Sequence, residues 1–533
     1  MSVGRSLRVR RDVKELQDEY DRGNKKPLED LWRAFRAIKE LPAEHPQSFF
    51  TQGGYHGERF RGAGWGTSSF WGGYCNHGNV LFPTWHRAYL VALEDALRSV
   101  PGCEDVTLPF WDECSEDTLN NGIPWCLTKK DVELDGHTIP NPLRSFVFTR
   151  GIVDNINGDD PNYSKPKGYE TVRYPLSGLV GTDADRKATA EHNASFPDPA
   201  KNVEILNRNV KDWLTSHIVV NGQTIDTHVA QKYRRCLDAP NYTVFSNTTS
   251  AQEWNQHLED GAAQVVPLES PHNSMHLAVG GCEVPGYDRS PIDGANGDMG
   301  ENDTAGLDPI FFFHHCFVDR VFWLWQKKHG QTDKLDVIPQ YPGTNSMDSQ
   351  GPTPGVVPNS WLDLSSPLDP FKKTEHDGTT RPYTSRDCLN IESQLGYTYG
   401  PGSLDQPVER AAPARGHSTK MVRVSGINRA PIRGSFLVSV FAEVDGKRHH
   451  LGSEAVLSRW NVQYCANCQT HLEVKAFVPL HDLQEDVVKR ASFDVEIRTR
   501  DGVLTESQTP PTVKAPVRAM LAKGHRLFKV EVR

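Results

Sequence analysis

The chain has 533 residues, of which 37% are hydrophobic and 24% are charged, and its formal net charge at pH 7 is −9. This length predicts two domains, because one hydrophobic core rarely grows so large. The acidic balance argues against nucleic acid as a partner, and no apolar run approaches the roughly 20 residues that span a membrane. Residues 1–13 are basic and lack the apolar stretch of a secretory signal, so a cytoplasmic location is expected.

Helical periodicity dominates the first 400 residues. Apolar side chains at steps of three and four predict a helix over residues 12–40, whereas the glycine-rich and polar residues 41–82 predict a loop. Pro83 suits the first turn of a helix that carries His86. Residues 113–200 predict surface loops with short helices. Further helical patterns lie near residues 203–218 and 225–235, around His272 and His276, over residues 309–328, and near residues 386–395.

The hydrophobic pattern changes beyond residue 400. Residues 401–420 are rich in Pro, Gly and Ala and predict a linker. From residue 421 onward apolar and polar side chains alternate, which is typical of strands, and Asp445-Gly446 is a signal for a tight turn between two of them. We therefore expect a mainly α domain over residues 1–400, followed by an all-β, sandwich-like domain over residues 421–533.

Histidines occur at metal-ligand spacing in the second half of the helical domain. His272 and His276 are four residues apart, so both rings lie on one face of a helix and can reach one metal ion. His314 and His315 interrupt an apolar helix, and adjacent rings point about 100° apart, so only one of the two joins the same site easily. Asp319 and Arg320 follow about one turn later on the same helix, and we expect these two charged side chains to form a buried ion pair.

A third group of histidines lies upstream, at His56, His77 and His86. His77 and His86 are nine residues apart with Pro83 between them, which suits one ligand in a loop and one on the following helix. Three histidines in each half of the helical domain can supply three neutral imidazoles to each of two metal ions. Because no carboxylate takes part, the pattern disfavours a di-iron site and favours two Cu(I) ions, which together supply two electrons to O2.

Six motifs follow one another along the chain: His77, Phe82–Leu90, Leu108–Asp112, His272–His276, Asp308–Arg320 and Tyr397–Gly400. Together they resemble the tyrosinase, catechol oxidase and molluscan-hemocyanin superfamily, over about residues 25–400. The resemblance implies a four-helix core around a dicopper site, with O2 as co-substrate. It implies that the two sets of copper ligands are His56, His77 and His86, and His272, His276 and His315. His314 and Asp319 would then support the ligands without binding copper.

The resemblance also bears on activity. In related tyrosinases a Glu three residues before the first ligand of the second copper, and an Asn directly after that ligand, hold a water proposed to deprotonate a monophenol. These positions are Glu269 and Asn273 in this chain. A phenol has a pKa of about 10, so a nearby base would help it bind. Alternatively, Glu269 only places negative charge at a helix N-terminus. We expect a tyrosinase-type oxidoreductase that hydroxylates monophenols and oxidises o-diphenols to o-quinones.

Three other functions share part of this pattern. A catechol oxidase would lack the hydroxylation step, and a hemocyanin-like oxygen carrier would share the ligands and the fold. A zinc hydrolase would need three ligands and a water-activating Glu, and two trios of histidines exceed that need. The expected partners are small phenolic molecules, and the chain is compatible with a homo-oligomer.

One cysteine stands next to a candidate ligand. Cys75 lies two residues before His77. In several fungal, plant and molluscan members of the superfamily, a cysteine at this place forms a thioether to the imidazole ring, which restricts the ring. The resemblance therefore predicts a Cys75–His77 thioether, and the alternative is a buried thiol.

The C-terminal domain carries two further candidate features. Cys465 and Cys468 offer two soft thiolates that suit the loading of Cu(I), with a disulfide or buried thiols as alternatives. In the superfamily, domains of this kind often cover the copper site, and an aromatic side chain then occupies the place of the substrate. Trp460 and Tyr464 are candidates for that role.

Overall fold

Two regions of different secondary structure follow one another in the computed structural model: a mainly helical region and, from Met421 onward, a region rich in strands. The structure describes residues 7–57, 73–152, 164–178, 183–259, 262–286, 294–348, 355–375, 377–406, 417–429, 432, 434–458, 473–500, 502–505 and 528–533. The change of hydrophobic period in the sequence therefore corresponds to a change of secondary structure. Within these ranges, no helix is both long and apolar enough to cross a bilayer.

The helices of the first region build the larger hydrophobic core. They are α1 (Val13–Asp21), α2 (Lys26–Glu40), α3 (Phe49–Gly54), α4 (Phe82–Arg98), α5 (Glu116–Asn121), α6 (Asp183–Ala194), α7 (Pro199–Thr215), α8 (Val229–Cys236), α9 (Tyr242–Ser246), α10 (Thr248–Gln256), α11 (Glu269–Gly280) and α12 (Ile310–Lys328). Helix α12 is buried over most of its length, as expected for an apolar helix at the centre of a large core. Its last turn carries Lys327 and Lys328, whose positive charges the helix dipole favours.

Helices α4 and α11 have end signals that fix where they begin and end. Pro83 stands in the first turn of α4, where its missing N–H costs no hydrogen bond. Glu269 places negative charge in the first turn of α11, which the dipole also favours. Helix α11 ends at Gly280, where a Cβ atom would lie 1.9 Å from the backbone N of Gly300. Only glycine therefore lets this helix end approach the 3-10 turn Asp298–Gly300.

Two predictions for the N-terminal segment need correction. The predicted helix over residues 12–40 is two helices, α1 and α2, because the chain turns at Gly23, whose φ of 98° favours glycine. The predicted loop over residues 41–82 contains α3, whose first turn is capped by Ser48: its Oγ accepts a hydrogen bond from Thr51 N at 3.1 Å. Both the cap and the glycine are local signals that outweigh the average composition of a segment.

Short strands complete the first region. They are β1 (Arg8–Arg10), β2 (Asp131–Leu134), β3 (His137–Pro140), β4 (His217–Val220), β5 (Gln223–Asp226), β6 (Pro367–Thr374), β7 (Thr380–Thr384) and β8 (Tyr397–Tyr399). Strands β4 and β5 form a hairpin, so the helical pattern predicted from residue 225 begins only at Val229. Strand β1 pairs in parallel with β8, which ties the start of the described chain to the end of the helical region.

The C-terminal strands form two sheets around a second, smaller core. They are β9 (Met421–Asn428), β10 (Phe436–Val444), β11 (Lys447–Val456), β12 (Glu473–Pro479), β13 (Ser492–Thr499), β14 (Gly502–Thr505) and β15 (Lys529–Val532). One sheet has the order β11-β10-β13-β14 and the other β12-β9-β15. Asp445 and Gly446, with φ of 50° and 74°, make the predicted turn between β10 and β11. The region is not all-β, because helix α13 (Glu485–Arg490) buries Val487 and Val488 in this core.

Gly400 and the first residues of the predicted linker that follows it are packed against the helical region. Gly400 N donates to Arg10 O at 2.8 Å, and Ser403 N donates to Asp112 Oδ2 at 2.7 Å. Asp405 forms an ion pair of 2.6 Å with Arg320. The predicted pair between Asp319 and Arg320 is therefore wrong, because neighbouring residues on a helix point in different directions. Domain boundaries at about residues 400 and 420 stay a prediction.

Candidate metal centre

The three upstream histidines meet although they come from different backbone settings. His56 follows the last turn of α3, His77 lies in the loop before α4, and His86 is on α4. Their ring centroids are 5.2 Å apart for His56 and His77, 5.5 Å for His56 and His86, and 5.2 Å for His77 and His86. All three are buried. The structure thus brings together the first predicted trio.

The three downstream histidines form a second buried trio. His272 and His276 project from one face of α11, and His315 reaches them from α12. The Nε2 atom of His315 is 3.3 Å from Nε2 of His272 and 3.3 Å from Nε2 of His276. Two nitrogens bound at roughly 2.0–2.1 Å to one tetrahedral ion are separated by about the same distance. The spacing of this trio therefore fits a single metal ion.

The two trios are in contact with each other. The ring of His86 stacks on that of His315, with centroids 4.5 Å apart and planes inclined by 11°. His77 faces His272 at 5.6 Å, and His56 faces His276 at 6.4 Å. The arrangement is one compact group of imidazoles, in which each half can hold an ion.

Hydrogen bonds that Nδ1 donates to backbone carbonyl oxygens orient several of these rings. Nδ1 of His86 donates to Phe82 O one helical turn earlier at 2.8 Å. Nδ1 of His276 donates to Met299 O at 2.7 Å. An Nδ1–H that is held in this way leaves Nε2 as the atom with a free lone pair. In the part of the chain that the structure describes, the buried Nε2 atoms of His56 and His86 have no hydrogen-bond partner.

Burial keeps the rings neutral, which is the form that binds metal. It lowers the pKa of His86 to about 3. The pKa values of four other rings fall well below the usual range, chiefly through burial and then through their histidine neighbours: His56, His272, His276 and His315. Burial therefore favours the neutral imidazole form in these five rings.

His314 has its own support, which the sequence did not reveal. Its Nδ1 donates to Glu113 Oε1 at 2.5 Å, and Glu113 Oε2 accepts from the Tyr233 hydroxyl at 2.6 Å. The ring centroid of His314 is 5.3 Å from that of His272 and 5.1 Å from that of His276. Glu113 directly follows the Leu108–Asp112 motif. In the sequence it is simply one more acidic residue after an aromatic segment, which does not indicate that it bonds to His314.

Asp319 lies in a second buried network. Its Oδ1 accepts from Arg87 Nε at 2.6 Å. Its Oδ2 accepts from the hydroxyl groups of Tyr397 and Tyr399, each at 2.6 Å. Because Arg87 directly follows His86, this network ties α12 and the tyrosine motif Tyr397–Gly400 to α4, the helix that carries this candidate ligand. The role of Asp319 in supporting the ligands stays a prediction.

Glu269 and Asn273 line one cavity of about 320 Å³. Glu269 Oε1 accepts from Gly78 N at 2.7 Å, and Oε2 accepts from Thr248 N at 2.8 Å. Burial raises the pKa of Glu269, although these hydrogen bonds act in the opposite direction. Asn273 Oδ1 is 2.9 Å from His272 Nδ1, which links this cavity to the second trio.

Two more residues touch the histidines. Ligand atoms of Cys75, His56 and His77 lie within 4.8 Å of one another, so the structure places the Cys75 thiol beside the ring to which the thioether is predicted. Phe311 packs its ring against His315 at 3.9 Å and against His56 at 4.6 Å. Two of its neighbours on α12, by contrast, contact aromatic side chains of the core: Phe312 packs against Phe49, and Phe313 packs against Phe35.

The candidate features of the C-terminal region lie outside the described residues. These are Trp460, Tyr464, Cys465 and Cys468. The described part of this region does reach the cavity. Glu454, Ala455 and Leu457 line it, and Asn273 Nδ2 donates to Ala455 O at 3.4 Å.

Comparison with known proteins agrees with this geometry. The family model described as the common central domain of tyrosinase matches residues 46–328. The chain is 54% identical to tyrosinase HcTyr2 of Hahella sp. (strain CCB-MM4) over 521 residues, which cover 94% of this chain and 93% of that protein. It is 48% identical to a tyrosinase of Aspergillus oryzae, over 89% of this chain and 90% of that protein. The solved tyrosinase from Burkholderia thailandensis at low pH aligns with a TM-score of 0.86 and 52% identity, over 99% of this chain and 100% of that chain. The resemblance noted from the motifs is confirmed, and the chain belongs to the tyrosinase family.

Proposed function

We propose that this chain uses O2 and two copper ions to hydroxylate monophenols ortho to the hydroxyl group and to oxidise o-diphenols to o-quinones. Two trios of buried histidine rings in direct contact, joined by the stacked His86 and His315, carry this conclusion. One trio alone would serve one metal ion. Two facing trios serve a pair of ions that can act on the same small molecule.

His56, His77 and His86 bind one copper ion, and His272, His276 and His315 bind the other. Imidazole nitrogen suits copper among the first-row metals. The separations of 3.3 Å between Nε2 atoms in the second trio fit ligands of one ion. In the first trio, a bound ion would satisfy the buried Nε2 atoms of His56 and His86, which lack a hydrogen-bond partner among the described residues.

The bound copper ions supply the activation of O2 and accept the electrons of a diphenol. The chain holds the ligand rings neutral by burial and fixes their direction through Nδ1 hydrogen bonds, such as those of His86 and His276. The ring of Phe311, against His315, excludes water from one side of the group. His314, held by Glu113, supports the second trio without binding copper.

Glu269 and Asn273 provide the proton acceptor for a monophenol. Together they hold a water that takes the phenol proton, so that the phenolate can bind. Their common cavity of about 320 Å³ and the contact of Asn273 with His272 support this role. Burial raises the pKa of Glu269, which makes its carboxylate a stronger base than an exposed glutamate.

The Cys75 thiol forms a thioether to His77: a C–S bond replaces the S–H bond and one ring C–H bond, and O2 accepts the two electrons and two protons that are lost. Its location beside the ring supports this bond, which would hold His77 in place in a loop where a helix does not fix it. A fixed ring matters more for His77 than for His86, because the latter already stands on α4 and bonds to the backbone of that helix.

The C-terminal strands cover the cavity and limit access of phenols. Lys232 Nζ bonds to Glu454 Oε2 at 3.0 Å and to Ser453 O at 2.7 Å, and Glu454 also accepts from Ser270 Oγ at 3.0 Å. These contacts attach strand β11 beside the N-terminal end of α11. Loading of copper through Cys465 and Cys468 stays a prediction.

Turnover assays test this proposal. The metal-free chain is loaded anaerobically with Cu(I), oxygen is added, and tyramine and catechol are supplied as separate substrates. We expect quinone formation from both, and a higher rate from each after proteolytic removal of the residues beyond about 400. Turnover of catechol alone would contradict the monophenol part of the proposal, and reversible O2 binding without turnover would contradict all of it.

A further inference from the structure

We infer that the segment Asp298–Asn302 positions one ligand of each copper ion, and that a buried ion pair with Lys165 holds this segment in place. The inference rests on the copper ligands proposed above. It makes Asp298 and Lys165 positioning residues for one ligand of each proposed copper ion.

Two backbone carbonyls of the segment face opposite trios. Met299 O accepts from His276 Nδ1 at 2.7 Å, and Asn302 O accepts from His56 Nδ1 at 3.2 Å. These carbonyls are three residues apart in the chain. Each fixes the tautomer and the rotation of a ring, and so leaves its Nε2 as the atom that would bind copper. A shift of the segment would therefore turn a ligand in both trios at once.

A buried carboxylate anchors the start of the segment. Asp298 Oδ1 is 2.5 Å from Lys165 Nζ, and both side chains are fully buried. Asp298 Oδ2 accepts from the Tyr169 hydroxyl at 2.7 Å and from Val172 N at 2.8 Å. The backbone N of Asp298 also donates to Val172 O at 2.8 Å. This carboxylate thus ties residues 298–300 to the segment 165–172.

Close backbone packing transmits this anchoring to the ligands. A Cβ atom at Gly280 would come within 1.9 Å of Gly300 N, so the end of α11 and the segment lie against each other without a side chain between them. Further along, Asn302 Nδ2 lies 3.6 Å from the Cys75 sulfur, in the loop that carries His77. The segment therefore contacts the surroundings of both trios.

The test measures the Cu(I) affinity of each trio separately, by anaerobic competition with a chromophoric chelator. A His276→Ala chain reports on the first trio, and a His56→Ala chain reports on the second. The Cu(I) affinity of each chain is measured with and without the double substitution Lys165→Met and Asp298→Asn. Because this substitution removes both charges of the ion pair together, it leaves no buried charge unpaired. Supporting residues of this kind typically change metal affinity by about 10- to 100-fold.

We expect the double substitution to weaken Cu(I) binding by about 10- to 100-fold in both chains. The matched control replaces the same residue types in a partly buried pair outside the segment, Lys373→Met with Asp387→Asn, whose atoms are 2.7 Å apart. This control should leave both affinities unchanged. Thermal unfolding of the metal-free chains verifies that each variant folds.

Unchanged affinity in either chain, or an effect on one trio only, would overturn the inference. If the double variant does not fold, the same two Cu(I) affinities are measured with the substitution Tyr169→Phe. This substitution removes one hydrogen bond to Asp298 and keeps the ion pair. We then expect a smaller fall in both affinities. Affinities that stay unchanged would contradict the inference. If the unmodified protein does not bind two Cu(I) ions, the ligand proposal itself has failed.

Discussion

The rings of His86 and His315 stack at 4.5 Å, and this contact joins the two trios. His86 belongs to α4 and His315 to α12, two buried helices that pack against each other. The packing of two apolar helices therefore sets the distance between the two trios. A rigid core of this kind is what the proposed reaction of two copper ions with one O2 molecule would require.

Removal of His276 should empty one metal position. We expect His276→Ala to bind one copper ion instead of two and to lose turnover of both tyramine and catechol, because both reactions need the pair. Metal analysis and the two assays measure this. His257→Ala, in which an exposed histidine on the surface changes, is the control and should behave like the parent chain. Full activity in His276→Ala would show that the ligand assignment is wrong.

Glu269→Gln should separate the two reactions. A general base typically contributes about 100-fold or more, so we expect turnover of tyramine to fall about 100-fold, while turnover of catechol changes little. Glutamine keeps one oxygen and presents its amide N–H₂ to one of the two donors, Gly78 N or Thr248 N, so we expect stability to fall by about 1–3 kcal/mol.

The control for this variant is Glu253→Gln, because Glu253 lines the same cavity. Steady-state rates with both substrates, together with urea unfolding, give the measurement. An equal fall of both rates in Glu269→Gln would mean that Glu269 is only a structural residue at the start of α11.

Mass spectrometry can detect the thioether. In copper-loaded protein exposed to O2, we expect the peptides that carry Cys75 and His77 to be joined, with a mass lower by two hydrogen atoms than that of the unlinked residues. Cys75→Ser should abolish the link and weaken copper binding at the first trio. An unlinked peptide with a thiol that reacts with an alkylating reagent would contradict the bond.

Acid should destabilise the metal-free protein. Burial lowers the pKa of three histidines from 6.5 to about 3: His86, His314 and His450. Within this window the unfolded chain binds more protons than the folded chain, so the stability that is present above pH 6.5 is lost as the pH falls. Each proton of difference changes the free energy of unfolding by about 1.4 kcal/mol per pH unit.

Buried carboxyl groups oppose part of this loss, because the fold raises the pKa of Asp12 to about 7 and raises that of Glu269. The four remaining ligand histidines with lowered pKa values add to the loss. Because more histidines than carboxyl groups are affected, we expect a net fall in the free energy of unfolding between about pH 7 and about pH 5, measured by urea unfolding. A free energy of unfolding that stays constant or rises would contradict the prediction.

The sequence predicted the parts of the site that local patterns determine. His272 and His276 are four residues apart on a helix, and His86 follows a proline that begins one. These spacings have a fixed geometric meaning, so the rings could be grouped before the fold was known. The alternation of side chains in β9 and β10 predicted the C-terminal strands for the same reason.

The supports of the ligands could not be predicted in this way. Glu113 and His314 are 201 residues apart, and no spacing rule joins them. Met299 and Asn302 act through backbone carbonyls, which every residue has, so their roles leave no signal in residue type. Asp319 pairs with Arg87 on another helix, and only the packing of α4 against α12 brings them together.

Anomalous scattering at the copper edge, from crystals of the copper-loaded protein, tests the two-ion centre most directly. We predict two peaks per chain, one among the rings of His56, His77 and His86 and the other among those of His272, His276 and His315. A single peak, or copper bound away from these rings, would contradict the account.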